Sequence, residues 1–218
     1  MFDKNEDETY YHHFAYTMHV NLPKESEMDA IQALMTRRSY PRGSLIQPAP
    51  NRAEVEQILQ AAMTVPDHGN IKPWRFVVIQ GQGMKDLEGV LRAMYDGQVE
   101  DEVYFNRFIQ EIINTPMMIC VYSVLNTEHN VSLLDQQLAG GAACEHILLA
   151  AHAMGFGGIW HSQETTEALR VMLKMGNEDH ILGVMSLGTP KRTSLAKRKS
   201  FVDYTFEWDQ ESGLQPWQ

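Results

Sequence analysis

The segment from Leu134 to Met154 predicts the longest helix of the chain. Residues 139–143 within it read Ala-Gly-Gly-Ala-Ala. Glycine inside a helix is destabilising by roughly 1 kcal/mol, so this patch indicates that another backbone packs unusually close to the helix. Two partners are open: a helix that crosses it within the same chain, or a helix of a second subunit that meets it in a dimer seam.

Helices and strands are predicted in an irregular order. The periodicity indicates helices at about 28–37, 51–65, 85–93, 105–114, 134–154 and 166–174, and strands at 76–79, 118–124, 181–187 and 202–208. Asn51 and Glu54 have the spacing of a capping box at the start of the second helix. Because strands and helices do not alternate regularly, the pattern favours an α+β fold over a doubly wound sheet.

The composition fits one well-buried domain and argues against several kinds of partner. The chain has 218 residues, of which 44% are hydrophobic, and a formal net charge of −10. This charge disfavours a nucleic acid or an anionic membrane as partner. Cys120 and Cys144 lie in apolar stretches without a disulfide or metal-binding pattern, which predicts reduced core residues. Without a bilayer-length apolar segment or a signal-peptide pattern, a cytoplasmic protein is expected.

Residues 1–27 are predicted to be an extension in front of a domain that covers residues 28–218. The extension is acidic at first and carries several aromatic residues between positions 10 and 16. These aromatic residues indicate that it packs on another surface, such as a second subunit. Its His12-His13 pair lacks a third ligand at a suitable spacing, so no metal site is expected.

Three short segments carry groups that suit a bound cofactor. They are Arg37-Arg38-Ser39 at the end of the first predicted helix, Pro66-Asp67-His68-Gly69-Asn70-Ile71-Lys72-Pro73-Trp74 before a strand, and the glycine-rich run Gly157-Gly158-Ile159-Trp160-His161-Ser162. Two adjacent guanidinium groups and a hydroxyl group suit a phosphate monoester. Taken alone, the first segment is more simply explained as a solvated cationic helix end that the helix dipole favours.

Together with Leu187-Gly188-Thr189-Pro190, these segments resemble the FMN-dependent nitroreductase family in order and spacing, over residues 28–208. The resemblance implies a nitroreductase-like α+β fold with a mixed, mainly antiparallel central sheet flanked by helices. It also implies an obligate homodimer with FMN at the subunit interface. The implied reaction is ping-pong: NADH or NADPH passes a hydride to flavin N5, and an electron-poor small molecule, such as a nitroaromatic or a quinone, then enters the same site.

The resemblance assigns the FMN phosphate to the basic residues. Arg37, Arg38 and Ser39 would hold it, together with Lys197 and Lys199 from the C-terminal part of the chain. The O2/N1 edge of the flavin needs a hydrogen-bond donor or a positive charge when the flavin is reduced. Arg42 is the nearest candidate in the sequence for that position.

The other two segments are expected to contact the flavin ring. Pro66, His68 and Asn70 lie in the loop that, in this family, reaches the flavin of the other subunit. Trp160-His161-Ser162 follows a glycine-rich turn and matches the family's flavin-contacting triplet. Close relatives often carry Arg at the position of His161, which leaves the redox tuning or the choice of substrate open.

Other interpretations of the motifs have less support. Gly155-Phe156-Gly157-Gly158 follows a helix and lacks the spacing of a dinucleotide-binding fingerprint, and the chain has no Gly-x-Ser-x-Gly elbow. Two functional alternatives stay open: a flavin-binding or interaction module without turnover, and other flavin chemistry such as dehalogenation or dehydrogenation. Residues 94–116 are expected to form the lid that selects the acceptor, whose identity the sequence does not give.

Overall fold

The computed structural model describes residues 28–95, 98–161, 166–194 and 197–217. The predicted extension 1–27 with His12 and His13, and the candidate site residue Ser162, lie outside the described residues. The helices of the described part are α1 (Ala30–Thr36), α2 (Arg52–Ala62), α3 (Gln82–Tyr95), α4 (Glu102–Ile113), α5 (Leu133–Ala153) and α6 (Thr166–Met172). Its strands are β1 (Leu45–Ile46), β2 (Trp74–Ile79), β3 (Met117–Ser123), β4 (Gly157–His161), β5 (His180–Pro190), β6 (Phe206–Asp209) and β7 (Gly213–Pro216).

The helix ends follow local side-chain chemistry. At the start of α2, the Asn51 side chain accepts from the backbone N–H of Glu54 at 3.1 Å, and the Glu54 carboxylate accepts from the backbone N–H of Asn51 at 2.7 Å. The predicted capping box is therefore confirmed. Ser132 caps α5 in a similar way, by accepting from the backbone N–H of Asp135. Gly155, with a φ of +88°, follows the end of α5, where few other residues would adopt this conformation.

Strand β5 is the centre of the main sheet. It pairs with β3 along one edge and with β4 and β1 along the other, and β2 pairs with the far edge of β3, all antiparallel. Ser39 adds one parallel bridge to Gly158 in β4, which makes the sheet mixed but mainly antiparallel. The predicted α+β class with this kind of sheet is confirmed.

The structure corrects two sequence predictions about strands. Residues 157–161 form strand β4, where the glycine content had indicated a turn. These glycines instead allow close packing, because a Cβ on Gly157 would lie 3.0 Å from the side chains of Tyr40 and Leu45. The strand predicted at 202–208 begins later, because Val202–Tyr204 forms a 3₁₀ turn before β6. Strand β6 pairs with β7 in a separate hairpin. Strands β1 and β7 were not predicted, since two and four residues are too few for a clear period.

Apolar side chains fill both faces of the sheet. Alternate residues of β3 point to opposite faces, as the two-residue period of a strand requires. The face toward α2 and α5 includes Val55, Ile58, Trp74, Met117, Ile119, Val121, Ile147 and Leu187. The face toward α3, α4 and α6 includes Leu87, Leu91, Ile109, Ile112, Met118, Cys120 and Leu169.

Both cysteines are core residues, as the sequence predicts. Cys120 and Cys144 have no exposed surface. Burial raises the pKa of each thiol to about 12, because the apolar surroundings disfavour the charged thiolate. The thiols are therefore protonated at neutral pH and unreactive.

The glycine patch of α5 meets a strand of the same chain. A Cβ on Gly140 would overlap the side chain of Leu182 in β5, so glycine allows the helix to lie close to the sheet. The sequence had left two close partners open for this patch: a helix of the same chain or a helix of a second subunit. Within the chain, the close partner is strand β5. No helix in the described part of the chain, α5 included, combines the length and the apolar character needed to cross a membrane.

Gly188→Ala is expected to lower the free energy of unfolding by about 1–3 kcal/mol, the range for overpacking. The new Cβ would lie 2.8 Å from Cγ of the stiff Pro116 ring and 3.0 Å from the backbone oxygen of Ile46. Gly89→Ala is the control: Gly89 is an exposed residue of α3 with open space at its Cβ position, so alanine should stabilise by about 0.5–1 kcal/mol. Urea denaturation of both variants checks this prediction, which fails if both substitutions stabilise.

Candidate functional site

Two arginines follow the end of α1 and are held by different parts of the chain. Nε of Arg37 lies 3.0 Å from Oε1 of Glu145 in α5, and only 19% of the Arg37 side chain is exposed. Arg38 donates to the backbone oxygen of Ser194 at 3.2 Å and also to the Ser194 hydroxyl. Its guanidinium group lies over the Tyr40 ring, 5.3 Å from the ring centroid. The end of α1 is thus a fixed cationic surface.

The basic segment 197–199 reaches the same place through a residue that sequence reasoning missed. The guanidinium group of Arg198 donates to the backbone oxygen of Arg37. The predicted residues Lys197 and Lys199 flank it and are exposed, and Lys199 Nζ donates to the Tyr204 hydroxyl at 3.4 Å. The sequence contained a signal for Arg198, since it lies between the two lysines that were proposed.

Strand β4 joins this cationic end to Trp160 and His161. Ser39 forms a bridge to Gly158, and the backbone N–H of Tyr40 donates to the Gly158 oxygen at 3.0 Å. Two residues further along β4, the Trp160 indole donates to the backbone oxygen of Leu182 at 3.2 Å and remains 37% exposed. The half-buried His161 follows, paired with Val184. Strand β4 therefore connects the end of α1 with Trp160 and His161, which lie two and three residues beyond the Ser39–Gly158 bridge.

The Trp160 indole lies against Gly183, where any larger residue would collide with it. A Cβ on Gly183 in β5 would overlap the indole ring, and a Cβ on Gly141 in α5 would lie 3.9 Å from it. Glycine at position 183 therefore makes room for the indole, whereas the distance at position 141 is an ordinary van der Waals contact; part of the indole stays exposed to solvent. An aromatic edge next to a glycine-lined strand suits a flat ring system.

Arg42 occupies a different environment from the other arginines. It is only 6% exposed, and its Nε donates to the hydroxyl of the buried Ser186 in β5 at 3.2 Å. Ser186 pairs with Ile159 in β4. Arg42 also lines a groove of about 440 Å³, whose other walls include Ile46, Gln47, Arg107, Gln110, Glu111, Asn114 and Lys191. The expected contact of Arg42 with the O2/N1 edge of a flavin stays a prediction.

The loop with Pro66, His68 and Asn70 lies toward the other end of α5. The three residues are exposed, and Asn70 has a left-handed backbone with a φ of +53°. The loop is closed by the Asp67 carboxylate, which accepts from the backbone N–H of Lys72 at 2.7 Å. A Cβ on Gly69 would lie 2.8 Å from the His129 ring, just before α5 begins.

His152 anchors the end of α1 on α5. Its Nε2 lies 2.9 Å from the Thr36 hydroxyl, which itself donates to the Gln32 oxygen at 2.6 Å. Because a hydroxyl group has one proton to donate, we infer that His152 Nε2–H donates to Thr36. Burial lowers the pKa of His152, and the charge of Arg37 lowers it further. The neutral imidazole is therefore the form that fits the folded protein.

The donor groups at the end of α1 fit a phosphate monoester. Nε of Arg38 is buried and has no hydrogen-bond partner among the described residues. A buried donor without an acceptor is unfavourable by about 1–3 kcal/mol, so this atom indicates an acceptor from outside the described chain. The guanidinium groups of Arg37, Arg38 and Arg198 meet at this end of the helix, and guanidinium is a donor that phosphate prefers. The residues present are thus suited to the phosphate of FMN.

Comparisons with known proteins agree with this arrangement. The model of the "Nitroreductase family" matches residues 34–189. A protein of Escherichia coli K12 named "Putative NAD(P)H nitroreductase YdjA" is 35% identical over 166 residues, which are 75% of this chain and 90% of that protein. The resemblance seen in the motifs is thereby confirmed.

Solved structures show the same fold. A "Nitroreductase-like Family Protein" from Bacillus cereus has a TM-score of 0.70 at 18% identity and covers 87% of this chain and 99% of its own. A "putative nitroreductase in complex with fmn" from Desulfovibrio desulfuricans has a TM-score of 0.64 at 24% identity, with 84% of this chain and 99% of its own covered. At these identities the likeness concerns the fold alone.

The free energy of unfolding is expected to fall as the pH is lowered from 7.5 to 5, and less so in His152→Gln. The lowered pKa of His152 means that, below the unfolded value of about 6.5, the unfolded chain binds the proton more readily than the folded one. This contribution to stability is therefore present above that pH and lost below it. Urea denaturation at several pH values tests this, with His180→Gln as a matched exposed histidine; equal slopes for wild type and His152→Gln would contradict it.

Proposed function

The chain belongs to the nitroreductase family of oxidoreductases, and we propose that it is an FMN-dependent enzyme. In this proposal NADH or NADPH is the reductant, and electron-poor small molecules such as nitroaromatics or quinones are the acceptors. The name of the Escherichia coli relative supports the reductant, and the FMN in a structure of the same fold supports the cofactor. The observation that carries the proposal is the buried Arg38 Nε, which needs an acceptor.

We assign the phosphate of FMN to the end of α1. Arg37, Arg38 and Ser39 would hold it, with Arg198 added to the predicted Lys197 and Lys199. These six residues come from two segments more than 150 positions apart, which the Arg198–Arg37 and Arg38–Ser194 contacts bring together. Their charge-assisted donors would orient the phosphate and so fix the position of the ring.

The flavin ring is assigned to strand β4 and its surroundings. Trp160, His161 and Ser162 would lie beside it, and Arg42 would stabilise its O2/N1 edge. When bound, FMN would supply the redox chemistry, taking up a hydride from the nicotinamide and passing electrons to the acceptor. The side chains of the chain bind and orient the reactants, and we assign none of them as an acid or a base, because hydride transfer requires neither.

A homodimer with FMN at the interface is supported by apolar surface that is exposed in the described part of the chain. On α1, Ile31, Leu34 and Met35 are 68%, 52% and 66% exposed, and Leu134 and Leu138 at the start of α5 are 63% and 61% exposed. Contiguous apolar faces of this kind mark interaction surfaces. In this proposal residues 28–218 form the FMN-binding domain, and residues 1–27 are an extension.

The loop at Pro66, His68 and Asn70 fits a role across the interface. Within one chain it packs near residue 129, whereas Arg37 contacts Glu145 in the second half of α5. Leu133 and Glu145 are twelve positions apart, which corresponds to about 18 Å along a helix at 1.5 Å per residue. A loop so placed is better suited to the flavin of the second subunit than to that of its own.

Arg38→Met is expected to weaken FMN binding by about 1.5–3 kcal/mol, the range for a hydrogen bond to a charged group. The methionine keeps apolar contact with Tyr40 and removes the guanidinium group. Flavin fluorescence titration measures the affinity, and anaerobic addition of NADH or NADPH to the wild-type complex should bleach its visible absorbance. Arg52→Met, at an exposed ion pair on α2, is the control. Wild-type protein that takes up no FMN would refute the proposed function.

Leu34→Glu is expected to convert the dimer to a monomer and to remove FMN together with the second subunit. A charged side chain at the centre of the exposed α1 face would be buried without a partner in the dimer. Val171→Glu is the control, since Val171 is 54% exposed on α6, away from that face. Light scattering and bound flavin are measured on the same sample; a monomer that keeps full FMN affinity would contradict the shared site.

A further inference from the structure

The Glu145 carboxylate forms an ion pair with Arg37 and so lies beside the site that we propose for a phosphate, which is itself an anion. We propose that Glu145 is a positioning residue: it holds the Arg37 guanidinium group through Nε and so leaves the two terminal nitrogens for the FMN phosphate. This inference rests on the proposed function. It concerns a residue that neither the motifs nor the family resemblance singled out.

Helix α5 holds the end of α1 at two points on one face. Glu145 and His152 are seven residues apart, which is two helical turns, and they contact the neighbouring residues Arg37 and Thr36. The backbone oxygen of Arg37 is held separately, by Arg198. Arg37 is therefore fixed through its side chain and through its backbone without any contribution from a ligand.

Prior fixation of an arginine favours binding for an entropic reason. A free arginine side chain samples many rotamers, and a protein that has already restricted it loses less conformational entropy when the ligand arrives. Glu145 is 42% exposed, and its pair with Arg37 is partly screened by water. Such pairs are worth about 0.2–1 kcal/mol, which corresponds to at most about a fivefold change in affinity.

A carboxylate near a phosphate also repels it, and this effect has the opposite sign. The residues that we assign to the phosphate include five cations, which are Arg37, Arg38, Lys197, Arg198 and Lys199. One carboxylate that is partly exposed to water changes the field of five cations only slightly. The orientation of Arg37, in contrast, acts directly on a contact with the phosphate. We therefore expect the positioning effect to exceed the repulsion.

Two variants of similar shape separate position from charge. Glu145→Gln keeps an oxygen acceptor and removes the charge, whereas Glu145→Met keeps the length of the side chain and removes the acceptor. The dissociation constants of FMN and of riboflavin, which has the same ring without the phosphate, are measured for both. Glu145→Met should weaken FMN binding about three- to fivefold, Glu145→Gln less than about twofold, and neither should change riboflavin binding.

A double-mutant cycle ties the effect to Arg37. In an Arg37→Ala background, Glu145→Met should cause no further loss, because the group that it positions is gone. Glu56→Met is the control, since Glu56 forms a comparable ion pair with Arg52 on the exposed face of α2. Glu145→Ala is a second variant in case Glu145→Met does not fold, and it should weaken FMN binding in the same way.

The possible outcomes separate this inference from the proposed function. Tighter FMN binding by Glu145→Met would show that repulsion dominates, and equal losses for FMN and riboflavin would show a merely structural role; either result overturns the inference. Unchanged FMN affinity in Glu145→Met also overturns it and leaves the proposed function standing. Wild-type protein that binds no FMN would refute the proposed function and the inference together.

Discussion

The close approach of helix α5 to strands β4 and β5 is the contact on which the candidate site depends. It is possible because glycines stand where side chains would collide: Gly140 faces Leu182, and Gly158 faces Leu148 and Leu187. If the helix were further from the sheet, Glu145 and His152 could not reach the end of α1 while that end also bonds to β4. The helix propensity lost at the glycines is thus offset by packing that places the two halves of the site side by side.

Local features of the sequence predict most of the secondary structure. The capping box at Asn51, the buried strands around residues 76–79 and 118–124, and the long helix ending before Gly155 all appear in the structure, because short-range chemistry determines them. Strand β4 was missed because Gly157 and Gly158 have low strand propensity. They form a strand only because β5 supplies hydrogen bonds along the whole segment, and that tertiary pairing is not visible in the local pattern.

The candidate site was predicted only in part, because some of its contacts join residues that are far apart in the chain. The sequence groups residues that are neighbours in the chain, such as Arg37 and Arg38, and the family resemblance adds a basic segment near the C-terminus. It does not show that Arg198 makes the contact, or that Glu145 pairs with Arg37 across more than 100 positions. Arg42 illustrates the limit: three residues after Ser39, a 3₁₀ turn directs its side chain to the buried Ser186.

The distribution of charge gives the site a selectivity that the net charge alone would not suggest. A chain with a formal net charge of −10 disfavours extended polyanions, because their many phosphates are repelled by the overall negative charge. A small phosphate monoester can approach the end of α1 alone, where arginines from two segments lie together. Burial of Arg38 Nε strengthens its attraction for an acceptor there, since water no longer competes for that atom. A concentrated cationic end on an acidic protein therefore favours a compact anion, such as the phosphate of FMN, over a nucleic acid.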